Sequence, residues 1–319
     1  MGRRRALRVG GIGAAAVVGV LVAGCSGGGG GGGGASPSAT SSSSSSSGGG
    51  GPRSFLTGEA GAAGHVLAVK IDNVPAARPQ TGLNDAAIVY AIEVEGGLSR
   101  LMAVFDSNHL PPVVGPVRSA RQTDVQLLQE YNKPALAFSG AQSQLLPELK
   151  KNDDLTAVTG TKDFFRNHDR PAPHNEFLHP AKPADKGGTA KDIGLRFADA
   201  TPAGGGPGTS ASAKMPAARF SFSWNGSQYR VAMDGKTSPW TADNVIVQHV
   251  TVRESDFHSR TGFVPFSQTV GHGSAQILRN GRSYAATWDR PAAGDGTTYT
   301  FDGRTLPLHP GRTWIVLEP

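Results

Sequence analysis

Residues 26–53 are almost wholly glycine and serine, with Pro37 and Pro52 among the few exceptions. A stretch this poor in apolar side chains cannot bury enough surface to offset the entropy of ordering it, so it is expected to stay a coil. Folding is thereby confined to the chain from near Phe55 onward. About 28 residues of such coil, at ~5–6 Å × √n, reach roughly 30 Å, the scale of a tether.

The residues before the tract explain what it would tether. Arg3, Arg4, Arg5 and Arg8 form a basic start, and an uncharged Ala/Val/Gly/Leu run continues to Gly24. That run is too short and Gly-rich for a membrane span and reads as a signal-peptide core over residues 1–24. It ends in Leu21-Val22-Ala23-Gly24-Cys25, which resembles the bacterial lipobox: small residues before the cut, then a thiol for acylation. Cys25 is the only cysteine in the chain. The expectation is an exported protein held on the extracytoplasmic face of the cell membrane, with membrane lipid its partner through Cys25. The paired arginines permit twin-arginine export. No strong hydrophobe follows them beyond Leu7, so general secretion is the first expectation.

One acylated cysteine leaves no disulfide and no thiol nucleophile, which excludes Cys-dependent transpeptidases and proteases. The formal net charge is +6. The leader's four arginines supply four of it, so the remainder carries +2. With no Lys/Arg block outside the leader, nucleic acid is not an expected partner.

A second composition shift, rich in Ala, Gly, Pro, Ser and Thr, falls at 198–214 and reads as a linker. It divides a 54–197 domain from a 215–319 domain. In the first, apolar strands (66–71, 88–94, 101–105, 113–117, 135–139, 155–158) alternate with helical patterns. Ser119 to Gln122 has capping-box spacing, and 143–151 reads as a helix despite Pro147. In the second, strands flank Asn225-Gly226, Asn280-Gly281 and Asp302-Gly303, all strong turn signals. The expected fold is therefore an α/β or α+β N-terminal domain followed by a mostly antiparallel β domain. Phe220, Phe222, Trp224, Trp288 and Trp314 are read as core.

Several ordered runs carry a family likeness. They are Val69-Lys70-Ile71-Asp72-Asn73, Arg78-Pro79-Gln80-Thr81-Gly82-Leu83, Glu95-Gly96-Gly97-Leu98-Ser99-Arg100 and Gly115-Pro116-Val117-Arg118-Ser119-Ala120-Arg121. Pro173-His174-Asn175, Gly271-His272-Gly273-Ser274-Ala275 and Pro310-Gly311-Arg312-Thr313-Trp314-Ile315 come after them in the chain. Together they resemble the DUF3048 family of YerB-type bacterial lipoproteins, over about residues 56–319. The resemblance implies two family domains and a lipoprotein address, and brings no activity with it. Ala87 and Ala91 stand where family members often carry acids; any role of those acids would be absent here or fall to Asp85 or Glu93.

The residues themselves suggest chemistry. If Ser119 caps a helix, Arg118 and Arg121 stand at its positive end, where free N–H groups and guanidinium forks favour carboxylates or phosphates. The bland alternative pairs these arginines with Glu93, Glu95 or Asp72. His174 and Asn175, on a proline-constrained loop, offer hydrogen bonding and, from His174, acid/base chemistry. His174 and His179 are five apart, off the zincin register, so no metal is expected. No cofactor signature stands out, and serine-hydrolase signatures are missing. Asp72 and Asn73 end a strand, where they could meet a ligand or cap a turn. Glu93 and Glu95 could face one side as a carboxylate pair.

The leading expectation is a lipoprotein that binds an anionic or glycan-like envelope component, such as a cell-wall polymer. Arg100, Arg118, Arg121, Asp72, Asn73, Arg78 and Asn175 are the binding candidates. A second expectation is an envelope hydrolase or transferase using His174 and Glu95. A third is a scaffold whose C-terminal domain docks an unnamed envelope protein.

Overall fold

The computed structural model describes residues 51–258 and 262–319. The leader, Cys25 and the tract up to residue 50 lie outside them. Among the described residues no helix is long and apolar enough to cross a membrane.

The first half runs β1 (Val66–Asp72), β2 (Ile88–Glu93), β3 (Ser99–Asp106), α1 (Gln122–Leu128), β4 (Ala135–Ala137), α2 (Leu145–Lys151) and β5 (Thr156–Val158). A small pair, β6 (Phe164–Arg166) and β7 (Glu176–Leu178), and a short α3 (Ala181–Ala184) complete it. β1 pairs antiparallel with β3 and parallel with β4, and β4 is parallel to β5. The N-terminal region is thus α+β, and the C-terminal region is almost entirely strand.

The second half contributes β8 (Gly206–Pro207), β9 (Ser210–Met215), β10 (Ala218–Trp224), β11 (Tyr229–Met233) and β12 (Lys236–Ala242). β13 (Asn244–His249), β14 (Val252–Glu254), β15 (Pro265–Ser267), β16 (Gly271–Arg279) and β17 (Arg282–Arg290) come next. β18 (Thr298–Phe301), β19 (Arg304–Thr305) and β20 (Thr313–Glu318) end the chain. The 198–214 segment, which composition marks as a connector, carries β8 and most of β9. β9–β12 form an antiparallel four-stranded sheet.

β20 joins the two halves. It pairs parallel with β13 on one side and with β2 on the other, so a 12-stranded sheet runs through both halves in the order β19-β18-β17-β16-β13-β20-β2-β3-β1-β4-β5, with β8 on β17. Both faces of its central strands are covered, which is why β1, β2 and nearly all of β3 are buried at every position. Alternate residues separate onto the two faces. Val66, Ala68, Tyr90, Met102 and Val104 pack with α1 and α2 through Leu127, Leu128, Leu145 and Leu149. Leu67, Val69, Ile71, Leu101 and Ala103 pack toward Phe220, Phe222, Tyr229 and Val231 of the four-stranded sheet. Trp288 and Trp314 are buried, as are Phe220 and Phe222, whereas Trp224 is half-buried and tilts against Tyr229 at 4.9 Å.

By the same parity Lys70, Asp72 and Arg100 sit on the helix-side face, where β1 ends and β3 begins. The site lies there.

Candidate anion site at the end of the first strand

The chain between Val117 and Arg121 crosses this edge as an extended segment. Val117 bridges Ile71, Arg118 N–H donates to Lys70 O, and Ser139 N–H donates to Arg118 O. Ser119 therefore does not cap α1, contrary to its spacing. The helix starts at Gln122 with Arg121 at its N-cap, and Asp124 Oδ2 accepts the Arg121 N–H at 2.7 Å. The reason is that residues 117–118 are held in sheet pairing, which delays helical geometry until Gln122.

Beneath the segment, Lys70 Nζ donates to Asp124 Oδ1 at 2.6 Å, and neither side chain has any exposure. Burial pulls the Lys70 ammonium down; Asp124 works against this, and Arg100 and Arg121 add to it. Sequence reasoning missed this pair. Its only signal was an acid three residues after Arg121, the N3 position that favours a capping carboxylate.

Asp72 is the centre of the upper layer. Its Oδ2 lies 2.8 Å from His174 Nδ1 and 3.0 Å from Arg118 Nε. The Arg118 contact is an ion pair by distance, yet this Nε has no aligned hydrogen-bond acceptor. Asp72 is 2% exposed, against 26% for Arg118 and 18% for His174. The buried carboxylate thus orients two cationic-type side chains that still reach solvent. With Nδ1 turned to Asp72, the remaining ring nitrogen of His174 is Nε2.

Arg121 is held differently. Its Nε and Nη2 donate to Glu95 Oε1 and Oε2 at 2.7 and 2.9 Å, the two-point fork typical of Arg–carboxylate pairs. Glu95 opens the 3₁₀ turn Glu95–Gly97 between β2 and β3, where Gly96 and Gly97 take the positive φ the turn requires. Burial alone would raise the Glu95 carboxyl, but the Arg121 hydrogen bonds and charge outweigh it and the net shift is downward. Glu93 shifts the other way: at the end of β2 its carboxyl is pushed up by burial.

Arg100, opposite Asp72 in the β1–β3 register, has no carboxylate within ion-pair distance among the described residues. Its Nη1 donates to Ser119 O at 3.0 Å. Burial, then the charge of Arg121, lowers its guanidinium to about 10 despite Glu95. Two of the three arginines thus have internal acid partners, and the third is desolvated among like charges without one.

The other sequence candidates make hydrogen bonds within the chain. Asn73 Oδ1 accepts from Arg78 Nε and Gln80 Nε2, and its Nδ2 donates to Ser99 Oγ. Arg78 donates to Asn73 O, Met233 O and Asp234 Oδ2, tying the 75–80 loop to the turn after β11. Asn175 Oδ1 accepts from Arg166 Nη1 at 2.8 Å. His179 stacks on Phe165 at 4.7 Å.

The chain is similar to known proteins. The model of the DUF3048 N-terminal domain matches residues 56–192, and that of the DUF3048 C-terminal domain matches 210–315; both are described as domains of unknown function. The chain belongs to the DUF3048 family. Among its relatives is the putative lipoprotein YerB of Bacillus subtilis, 27% identical over 275 residues, covering 79% of this chain and 81% of that one. The crystal structure of B. subtilis YerB superimposes with a TM-score of 0.71 at 22% identity, over 84% of this chain and 97% of that one. At that identity the likeness shows a shared fold. In this DUF3048 protein, the Lys-x-Asp-Asn, Glu-Gly-Gly, Arg-Ser-Ala-Arg and Pro-His-Asn runs supply Lys70, Asp72, Glu95, Arg118, Arg121 and His174, so segments far apart in sequence meet at one edge.

Proposed function

We propose that this DUF3048 protein is a lipoprotein anchored through Cys25 on the extracytoplasmic face of the membrane, where it binds an anionic or glycan-like cell-envelope component through Arg100, Arg118 and His174. One observation carries the reading: Arg100 is desolvated beside two other guanidiniums and lacks a carboxylate partner. Such a cation is more stable with an anion than without one, because bringing in a negative charge offsets both its lost hydration and the repulsion. The lipoprotein name of the YerB relative supports the address.

The test is co-sedimentation of the full chain with purified cell wall. Arg100→Gln should weaken retention roughly tenfold or more, the worth of one charge-assisted hydrogen bond. Unchanged retention in a folded variant would rule the reading out.

The Asp72–His174 pair favours a second reading, an envelope hydrolase or transferase. A buried carboxylate on Nδ1 fixes the tautomer that leaves Nε2 free as a base. The carboxylate beside His174 is Asp72, and not Glu95, whose two oxygens are engaged by Arg121. Wall fragments released by the wild type and not by His174→Ala would select it.

A further inference from the structure

Glu93 closes β2, and anion binding makes no use of it. By strand parity it follows Val89 and Ala91, which pack toward the four-stranded sheet, so it lies on the face opposite Arg100. It is 6% exposed, yet its carboxylate has no hydrogen bond or ion pair among the described residues. Burial raises its carboxyl, and no charge or hydrogen bond among those residues offsets the rise. Glu93 lines a cavity of about 480 Å³ walled by three segments. The β2–β3 turn supplies Glu95 to Gly97, the β9–β10 turn supplies Pro216, and the stretch entering β15 supplies Phe263 and Pro265. Ala217 N–H donates to Gly97 O, and a Cβ on Gly97 would come within 2.6 Å of Pro216 Cβ, so glycine lets the two turns meet. Phe263 is 52% exposed, the most exposed large apolar side chain among the described residues.

The charged side chains of this lining, among the described residues, are both acids. Glu95 already has a partner in the Arg121 fork, and Glu93 has none. The remaining walls are apolar side chains and glycine backbone. An unpaired, desolvated carboxylate beside an aromatic ring suits a cation carried on an apolar body. The cation restores to Glu93 the charge interaction that burial withholds, and the ring face attracts it too. A neutral hydroxylated ligand would call for several free polar side chains, and Glu93 alone fits that description here. We propose that this cavity binds an alkylammonium group, with Glu93 as its counter-ion and Phe263 against its apolar part. The site is separate from the arginine cluster and stands or falls independently of anion binding.

The experiment titrates n-butylammonium, tetramethylammonium and n-butanol separately into the full chain in nonionic detergent. Binding is read by calorimetry at fixed ionic strength and about pH 8, where ordinary carboxylates are ionised and alkylamines protonated. At least one ammonium should bind roughly tenfold or more tighter than butanol, the worth of one charge-assisted contact. Tighter butylammonium would indicate a primary amine, and tighter tetramethylammonium a quaternary one. Glu93→Gln keeps the side chain's shape and should abolish the preference for charge, with a melting curve to show that the fold is kept. Phe263→Ala, an exposed change, should weaken the ammonium severalfold. Selenate affinity should match the wild type in both variants, which separates this cavity from the arginine cluster. Butanol binding as tightly as both ammoniums, a preference that survives Glu93→Gln, or no binding by any of the three would overturn the proposal and leave anion binding standing. Should Glu93→Gln fail to fold, Phe263→Ala carries the test, and unchanged ammonium affinity there would overturn it.

Discussion

His174 Nδ1 and Asp72 Oδ2 lie 2.8 Å apart, though 102 positions separate the two residues, and the same oxygen faces Arg118 Nε. A negative charge behind an anion site opposes binding, whereas a negative charge behind a catalytic imidazole assists it. Asp72→Asn therefore separates the two readings. For a binder, loss of the charge should raise anion affinity by roughly tenfold or more, given the several kcal/mol that unit charges exert over a few ångströms at an effective dielectric near 20. For a catalyst, turnover should fall while affinity is kept. Calorimetry and a fragment-release assay on one variant decide between them.

The layer below is expected to govern stability. Asp124→Ala leaves the Lys70 ammonium buried without a partner and also removes the acceptor for Arg121 N–H. A loss of about 3–5 kcal/mol is expected. Lys70→Met should cost less, since Asp124 keeps that second hydrogen bond. Urea unfolding with an unchanged m-value checks both, and the reverse order would contradict this picture of the pair.

Arg78 should act on the fold and not on the ligand. Its donors engage Asn73, Met233 and Asp234. Arg78→Ala is expected to lower stability by roughly 1.5–3 kcal/mol, the range for a hydrogen bond to a charged group. Anion affinity should stay within about twofold. A large loss of affinity at unchanged stability would return Arg78 to the binding site.

Glu93 gives the protein a pH dependence. Burial raises its carboxyl pKa in the folded state. A group raised on folding contributes stability that is complete below its unfolded pKa, near 4.3, and is lost as pH rises through the folded value. Glu93→Gln removes that loss. The melting temperature of the variant should gain on the wild type as pH rises from about 4.3 toward neutrality. A constant difference across that range would show that Glu93 does not titrate as described.

Local structure was legible where one side chain or turn decides it. Asn280-Gly281 and Asp302-Gly303 take positive φ at both positions and close β16–β17 and β18–β19 as their dipeptides require. Asn225-Gly226 does not: only Gly226 has positive φ, and Asn225 Oδ1 accepts from Ser227 N–H and Gln228 N–H, so β10 and β11 join through a wider loop. The segment 113–117, apolar enough to suggest a strand, makes separate bridges to Leu178, Thr81 and Ile71 instead of one ladder. No local pattern says that β20 will insert between β13 and β2, because the β2–β20 pairing joins residues at opposite ends of the folded sequence.

The site was legible in its parts and not in its grouping. Arg100, Arg118, Arg121, Asp72, His174 and Glu95 stand out by residue type, and the structure brings them to one edge. Their division of labour depends on which acid each arginine meets, and side-chain type alone cannot specify that. Asn73, Arg78 and Asn175 look equally polar in sequence, yet each already has hydrogen-bond partners within the chain.

The most direct test of anion binding at this edge is to locate an anion there. Crystals of the protein soaked in selenate, a tetrahedral anion with an anomalous signal, would be compared with crystals of Arg100→Gln soaked alike. An anomalous peak is expected within hydrogen-bonding reach, roughly 3 Å, of Arg100 and Arg118 nitrogens in the wild type, and its loss is expected in the variant. A wild-type cluster that stays empty at saturating selenate, or a peak that persists without Arg100, would contradict anion binding by these arginines.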